Sequence, residues 1–365
     1  MPPKPPSEGQ LLKEKHAKAK TNLALERRAD IDLKLLNENC NKILNKLGPN
    51  ALDTVSTFTK RARAEFLAIR ENEQLDPPNF PLFVIEPMPY ESLRSFFGAL
   101  ESYPWLRVIS LHNAQIGDDG AMVIAEFIQG YQPTPDRNPW GIEVLELPMC
   151  RITAKGASYL GNVLAQNETV KELQLDFNPL GDTGAAALGD GIKWNASLQK
   201  VSLQYCDIGP TGGEAISKFF VRSSSVTSLS LRGNPLGPSG VTSIGRSLAK
   251  NAYLTTIDLA DTCFGIDIEA VEALRDGIEG NETLESIDID MNSIVPAGVQ
   301  LLLETLKMKP KIINFVVYER IGEAVYRDIL DTVAANQKLA KKKAKGKRGQ
   351  VNPNASLLLS SGRTI

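Results

Sequence analysis

The stretch "LSLRGNPLGPSGVTSIGRSLAKN", from Leu229 to Asn251, is one copy of a pattern that runs through most of this chain. "VKELQLDFNPLGDTGAAAL" from Val170, "LQKVSLQYCDIGPTGGEAI" from Leu198, "VTSLSLRGNPLGPSGVTSI" from Val226 and "LTTIDLADTCFGIDIEAV" from Leu254 begin 28 residues apart. "LESIDIDMNSIVPAGVQLL" follows from Leu284 after 30 residues. Earlier copies begin at Leu106 and Ile142, and a degenerate one, "IINFVVYERIG", begins at Ile312. A fixed period of this length restricts the chain to folds in which each copy is one structural unit, stacked on its neighbours because it cannot bury its apolar face alone.

Each copy reads the same way. In "LSLRGN", Leu229 and Leu231 point to one side and Ser230 and Arg232 to the other, as a strand's two-residue period requires. Asn178, Asn234 and Asn292 end their strands where a carboxamide can satisfy backbone groups left unpaired by the turn; Cys150 and Cys206 hold the same column, and Ala114 and Thr262 fill it less well. Gly120, Gly156, Gly184, Gly212, Gly240 and Gly298 are expected just before each helix, where close packing penalises a side chain. Val241, Ile244 and Leu248 then recur at three- and four-residue steps, so a helix follows.

The pattern L-x-x-L-x-L-x-x-N/C-x-L-G-x-x-G followed by a helix resembles the leucine-rich repeat, specifically its ribonuclease-inhibitor-like class. The resemblance covers about residues 80–325 in seven to eight copies. It implies an α/β solenoid, a horseshoe with parallel strands on the concave face and helices outside. Two departures are expected as loop bulges at the solenoid edge, either slack or partner-contacting: "YQPTPDRNPW" (Tyr131–Trp140), and two extra residues around "GIDIEA" in the Leu254 copy.

The flanks differ from the repeats. Residues 1–8 are expected to be disordered, and 9–75 to form a helical extension broken at "GPN". Leu33, Leu36, Ile43, Leu44 and Leu47 are helically spaced there without clean heptads, which suits either an N-terminal cap on the repeat array or a helix reaching for a partner. "PLFVIE" reads as an edge strand. A terminal helix is expected over 326–344, then a basic disordered tail over 345–365.

The formal charge of −2 conceals an asymmetry: residues 1–80 carry 14 Lys/Arg against 11 Asp/Glu, and 338–365 carry 8 against none, so the body between them is acidic. Lys341, Lys342, Lys343, Lys345, Lys347 and Arg348 make a cluster suited to nucleic acid, an anionic lipid surface, an acidic protein or microtubule surface, nuclear import, or simple solubility.

Little points to chemistry. There are two histidines, His16 and His112, neither in a metal-ligand spacing, and no phosphate-binding glycine loop or nucleophile elbow. The cysteines have no Cys-x-x-Cys pair, and Cys150 and Cys206 are better explained as turn residues than as nucleophiles. The sequons at Asn167, Asn195 and Asn281 share one repeat position, so they are read as structural; a fourth is at Asn354. No apolar run is long enough to span a membrane. The polar N-terminus, with no apolar core segment, leads to an expectation of reduced thiols in the cytoplasm or another internal compartment. No cofactor, metal or small-molecule substrate is expected.

What remains is the concave face. Its outward columns read Ser110, Glu146, Gln174, Ser202, Ser230, Asp258, Asp288 and His112, Pro148, Asp176, Gln204, Arg232, Ala260, Asp290. Asp258, Asp261, Glu285, Asp288 and Asp290 form an acidic stripe, which makes nucleic acid an unsuitable ligand for the horseshoe. Met149, Phe177 and Tyr205 fall in register on successive strands, as a protein-binding hot spot or as a ladder covered by the chain's own flank. The expectation is a non-enzymatic scaffold that binds other proteins within a larger complex. The bare solenoid, helical extension and basic tail resemble the repeat subunits of the axonemal nexin–dynein regulatory complex, which implies a cytoskeletal or ciliary setting. The alternative is a GTPase-activating protein resembling the Ran type, with Arg151 as the candidate functional arginine; the basic tail departs from that family's acidic segment.

Overall fold

The computed structural model describes residues 81–83, 90–133 (save 102 and 105) and 141–349, with isolated helical positions between 31 and 64. It falls into two compact units, residues 1–206 and 207–365.

The first unit alternates strand and helix: β1 (Pro81–Phe83), α1 (Tyr90–Leu100), β2 (Val108–Ser110), α2 (Gly117–Gly130), β3 (Val144–Glu146), α3 (Ala154–Leu164), β4 (Glu172–Gln174), α4 (Gly181–Ile192) and β5 (Lys200–Ser202). The strands pair in chain order and in parallel, with Ile109, Leu145, Leu173 and Val201 in one register. The second unit continues with α5 (Pro210–Arg222), β6 (Ser228–Ser230), α6 (Gly237–Leu248), β7 (Thr256–Asp258), α7 (Ile268–Gly280), β8 (Ser286–Asp288), α8 (Pro296–Met308), β9 (Asn314–Val316) and α9 (Glu323–Gly349). Here Leu229, Ile257, Ile287 and Phe315 stand in one row of a parallel ladder. These rows are buried, so each repeat's strand leucines close the core of the next. This is the α/β leucine-rich-repeat architecture the period requires.

Two columns of asparagine hold the repeats together. Asn178 Oδ1 accepts from the N–H groups of Cys150 (2.9 Å) and Ile152 (3.0 Å), and its Nδ2 donates to the carbonyls of Leu147 (2.7 Å) and Leu175 (2.8 Å). Asn292 does the same between Thr262 N and the carbonyls of Leu259 and Ile289. In the same column the Cys150 thiol donates to Leu111 O at 2.9 Å, and burial pushes its pKa up to about 11, so this sulfur acts as a turn residue. The second column contains the sequon asparagines. Asn195 Nδ2 donates to Leu164 O and Asn167 O while its Oδ1 accepts from Ser197 N and Leu198 N, and Asn281 repeats the arrangement. Asn167, Asn195 and Asn281 are all buried, as a structural role demands.

The repeat glycines lie elsewhere than expected. Gly120, Gly156, Gly184, Gly212, Gly240 and Gly298 sit inside the first turns of their helices rather than before them. The reason is contact with the preceding repeat: a Cβ on Gly184 would stand 3.1 Å from the Ala154 Cα. Further along, α3 and α4 approach so closely that a Cβ on Gly191 would lie 2.1 Å from Gly161 O.

Of the expected bulges, Tyr131 belongs to the core and not to a loop. Its ring stacks on Phe127 at 4.9 Å, and its hydroxyl donates to Tyr103 O and accepts from Leu106 N. Burial, with the negative charge of Asp32 adding to it, drives that hydroxyl's pKa above the tyrosine range. Residues 134–140 lie outside the described residues. In the Leu254 copy the extra residues carry Phe264 into the core, leave Ile266 exposed and start α7 with Asp267, whose carboxylate accepts from Ala270 N.

The 9–75 extension lies mostly outside the described residues. Within it, Leu36 is fully buried and Ile31 and Leu35 are exposed, so one helical face is packed. At the other end the expected boundary between helix and disordered tail moves: α9 runs unbroken to Gly349, taking in Lys345, Lys347 and Arg348. The sequence from Gln337 to Lys345 is Lys- and Ala-rich with no proline, so nothing ends the helix at 344, and Gly346 is carried within it.

Candidate functional site

The turn that follows each strand gives the site its form. The first residue after the turn begins is left-handed in every copy from β2 to β8: Asn113, Met149, Phe177, Tyr205, Gly233, Asp261 and Met291 have φ between 51° and 70°. Gln115, Arg151, Asp207, Cys263 and Ser293, two residues on, are left-handed as well. Pro179 and Pro235 cannot be, and there Gly181 and Gly237 take the positive φ instead. Backbone hydrogen bonds to the next repeat hold this conformation whatever side chain occupies it: Met149 N donates to Asp176 O, Phe177 N to Gln204 O and Asp261 N to Asp290 O. A side chain larger than Gly or Asn therefore costs about 1 kcal/mol at each position.

In the first unit that cost is accepted three times running. Met149, Phe177 and Tyr205 are 51, 50 and 40% exposed, so among the described residues no side chain covers the ladder. The rings of Phe177 and Tyr205 stack at 4.9 Å with 8° between their planes, the spacing that adjacent strands impose. Pro179, passed over by sequence reasoning although "NPL" displays it, is exposed beside them, as is Arg151.

The neighbouring expected residues fare differently. Asp176 is 4% exposed, and its carboxylate is fully engaged: Oδ1 accepts from Ser202 Oγ (2.6 Å) and Gln204 N (2.8 Å), Oδ2 from Gln174 Nε2 (2.7 Å). It is a strut and not a partner contact, because the next strand supplies donors that its own repeat does not reveal. Pro148 and Ala260, read as outward, are buried too. Ser110 is buried and donates to Glu146 Oε2, while His112 stays exposed 3.6 Å from the same carboxylate.

The acidic stripe of the second unit is internally neutralised at its centre. Arg232 reaches Asp258 through Nε (3.1 Å) and Asp288 through Nη2 (2.5 Å). Asp258 also accepts from Ser230 Oγ and Ala260 N, and Asp288 from Asp290 N. Arg232, Asp258 and Asp288 thus form a half-buried cluster rather than free contacts. Burial, together with Asp258 and Asp290, holds the Asp288 pKa above the usual carboxylate range despite Arg232. Asp261 and Asp290 remain half-exposed, and Asp290 accepts from Met291 N. Lys341, Lys342 and Lys343 are exposed on α9, well along the chain from these groups. Among the described residues no three His, Cys, Asp or Glu side chains are grouped to hold a metal ion, and no helix is long and apolar enough to cross a membrane.

An ordered ladder of parallel strands, buried asparagine columns and variable exposed turn positions are the features of the leucine-rich-repeat fold. A model described as "Leucine Rich repeat" matches residues 104–125, 166–189, 195–217 and 222–245, four of the copies read from the sequence. No curated protein matches the chain in sequence. Among solved structures, the yeast Rad7–Elc1 complex is similar at 14% identity and a TM-score of 0.36, over 87% of this chain and 96% of that one. Leiomodin-1 actin-binding site 2 is similar at 13% identity and a TM-score of 0.31, over 46% of this chain and 80% of that one.

Proposed function

We propose that this chain is a non-enzymatic scaffold that binds another protein through Met149, Phe177 and Tyr205, as one subunit of a larger assembly. The observation that carries the reading is the exposed, stacked ladder at three consecutive left-handed positions. Each residue there costs backbone strain and apolar exposure that Gly, Asn or Asp at the same place would avoid. Strands and asparagine columns fix the spacing of the three side chains before any partner arrives, which lowers the ordering cost of binding. Asp261 and Asp290 offer further polar contacts. The repeats are read as ribonuclease-inhibitor-like from their 28-residue period. The resemblance to axonemal repeat subunits supports a cytoplasmic, cytoskeletal setting such as the ciliary axoneme.

The test is crosslinking and affinity purification of the full chain from its own cells, beside the combined variant Met149→Ser, Phe177→Ser, Tyr205→Ser. The reading expects the variant to keep its circular dichroism spectrum and lose specific crosslinked proteins. Partners that persist unchanged would refute it. The alternative of GTPase activation rests on Arg151, exposed on the loop after β3. It requires faster GTP hydrolysis when the chain is added to a small GTPase, and loss of that effect in Arg151→Ala.

A further inference from the structure

The C-terminal cations stand on a helix that has an anchor and a free arm. Ile329 and Val333 are buried, Asn336 Nδ2 donates to Ile312 O at 2.9 Å, and Gln337 Nε2 donates to Ile313 O at 2.8 Å. Past Gln337 the helix continues to Gly349, a further 18 Å or so at ~1.5 Å per residue. Along it lie Lys338, Lys341, Lys342, Lys343, Lys345, Lys347 and Arg348, with no acidic residue after Asp331. Lys338, Lys341, Lys342 and Lys343 are exposed, and among the described residues none of the four has a carboxylate partner.

We propose that residues 338–349 form a preformed helical arm that docks an acidic segment of a partner protein. The surface is distinct from the Met149–Phe177–Tyr205 ladder and independent of it. Lys338, Lys341 and Lys342 fall at i, i+3 and i+4, so one edge of the helix carries a row of like charges. Such neighbours repel one another and weaken the helix, a penalty offset in part by the favourable field at a helix C-terminus. A row of carboxylates laid along that edge removes the repulsion.

The stretch has one large apolar residue, Leu339, and therefore no apolar face to enter a bilayer. The rest of the second unit, 207–337, carries 18 Asp/Glu against 11 Lys/Arg. A long nucleic acid extending past the arm meets that repulsive surface, whereas a short acidic peptide needs only the arm.

The probe is a fluorescein-labelled octaglutamate peptide, read by anisotropy against the full chain, with a 20-base-pair DNA duplex and phosphatidylserine vesicles as competitors. Binding should weaken at least tenfold in the Lys341→Glu, Lys342→Glu, Lys343→Glu variant and several-fold in Ala340→Pro, which keeps every charge and breaks the helix. Helical circular dichroism should stay unchanged on binding, and the ladder variant should bind as tightly as the native chain. Equal affinity in Ala340→Pro would overturn the preformed arm, leaving a basic tail without structure. Tighter binding of the duplex or the vesicles would overturn the choice of partner.

Discussion

The two units share one backbone and treat its exposed turn position in opposite ways. In the first, three successive left-handed turns carry Met149, Phe177 and Tyr205; in the second, the same turns carry Gly233, Asp261 and Met291. Gly233 and Asp261 suit the conformation, and Met291 is exposed without an apolar neighbour in the adjoining turn. The polar columns diverge as well. The second unit knots Arg232, Asp258 and Asp288 together on its open face, while the first spends Asp176 on bracing two strands. The asparagine frame supplies stability to both units, and the departures from turn propensity are concentrated in one. The proposed role of the ladder rests on that separation.

The largest effects should come from the frame and be alike in the two units. Asn178→Ala strands two buried N–H groups and two carbonyls, and should cost about 3–5 kcal/mol by urea denaturation. Asn292→Ala should cost a similar amount; a loss in one unit alone would break the claim of a common frame.

Exchanging turn residues sharpens the contrast. Met149→Gly should stabilise the chain by about 0.5–1 kcal/mol, and Gly233→Met should destabilise it by about 1 kcal/mol, both read as shifts in urea midpoint. If Met149→Gly destabilises, the residue serves packing and the strain argument fails.

Acidity should act on the two units with opposite sign, and this effect is the smallest. Burial raises the Glu143 pKa, but hydrogen bonds from Lys171 and Arg107 outweigh it and leave the group below its ordinary value. Its contribution to stability is full above the unfolded carboxylate pKa, about 4.3, and is lost as pH falls through the lower folded value. Asp288 is raised, so the folded state favours its proton, and stability declines as pH climbs from about 3.9 through the folded value. Denaturation between about pH 3 and 7 should show Glu143→Gln flattening the acid limb and Asp288→Asn removing the decline above it.

The repeat, the strand faces and the sequon asparagines were legible because each depends on residues recurring every 28 positions. Three features were not. The left-handed column is held by backbone hydrogen bonds to the next repeat, Met149 N to Asp176 O and Phe177 N to Gln204 O, so the identity of Met149 or Phe177 gives no sign of it. Asp176 looks solvent-facing in its own strand, and the donors of Ser202 and Gln204 on the next repeat help draw it in. The glycines of the helical turns are fixed by how closely adjacent helices pack, which a single copy does not reveal.

Hydrogen exchange on the full chain bound to its crosslinked partner addresses the central claim most directly. The account predicts that binding slows exchange at amides in 149–151, 177–181 and 205–206, and leaves 233–237, 261–265 and 291–295 unchanged. Protection confined to the second unit's turns, with none at Met149, Phe177 or Tyr205, would contradict it.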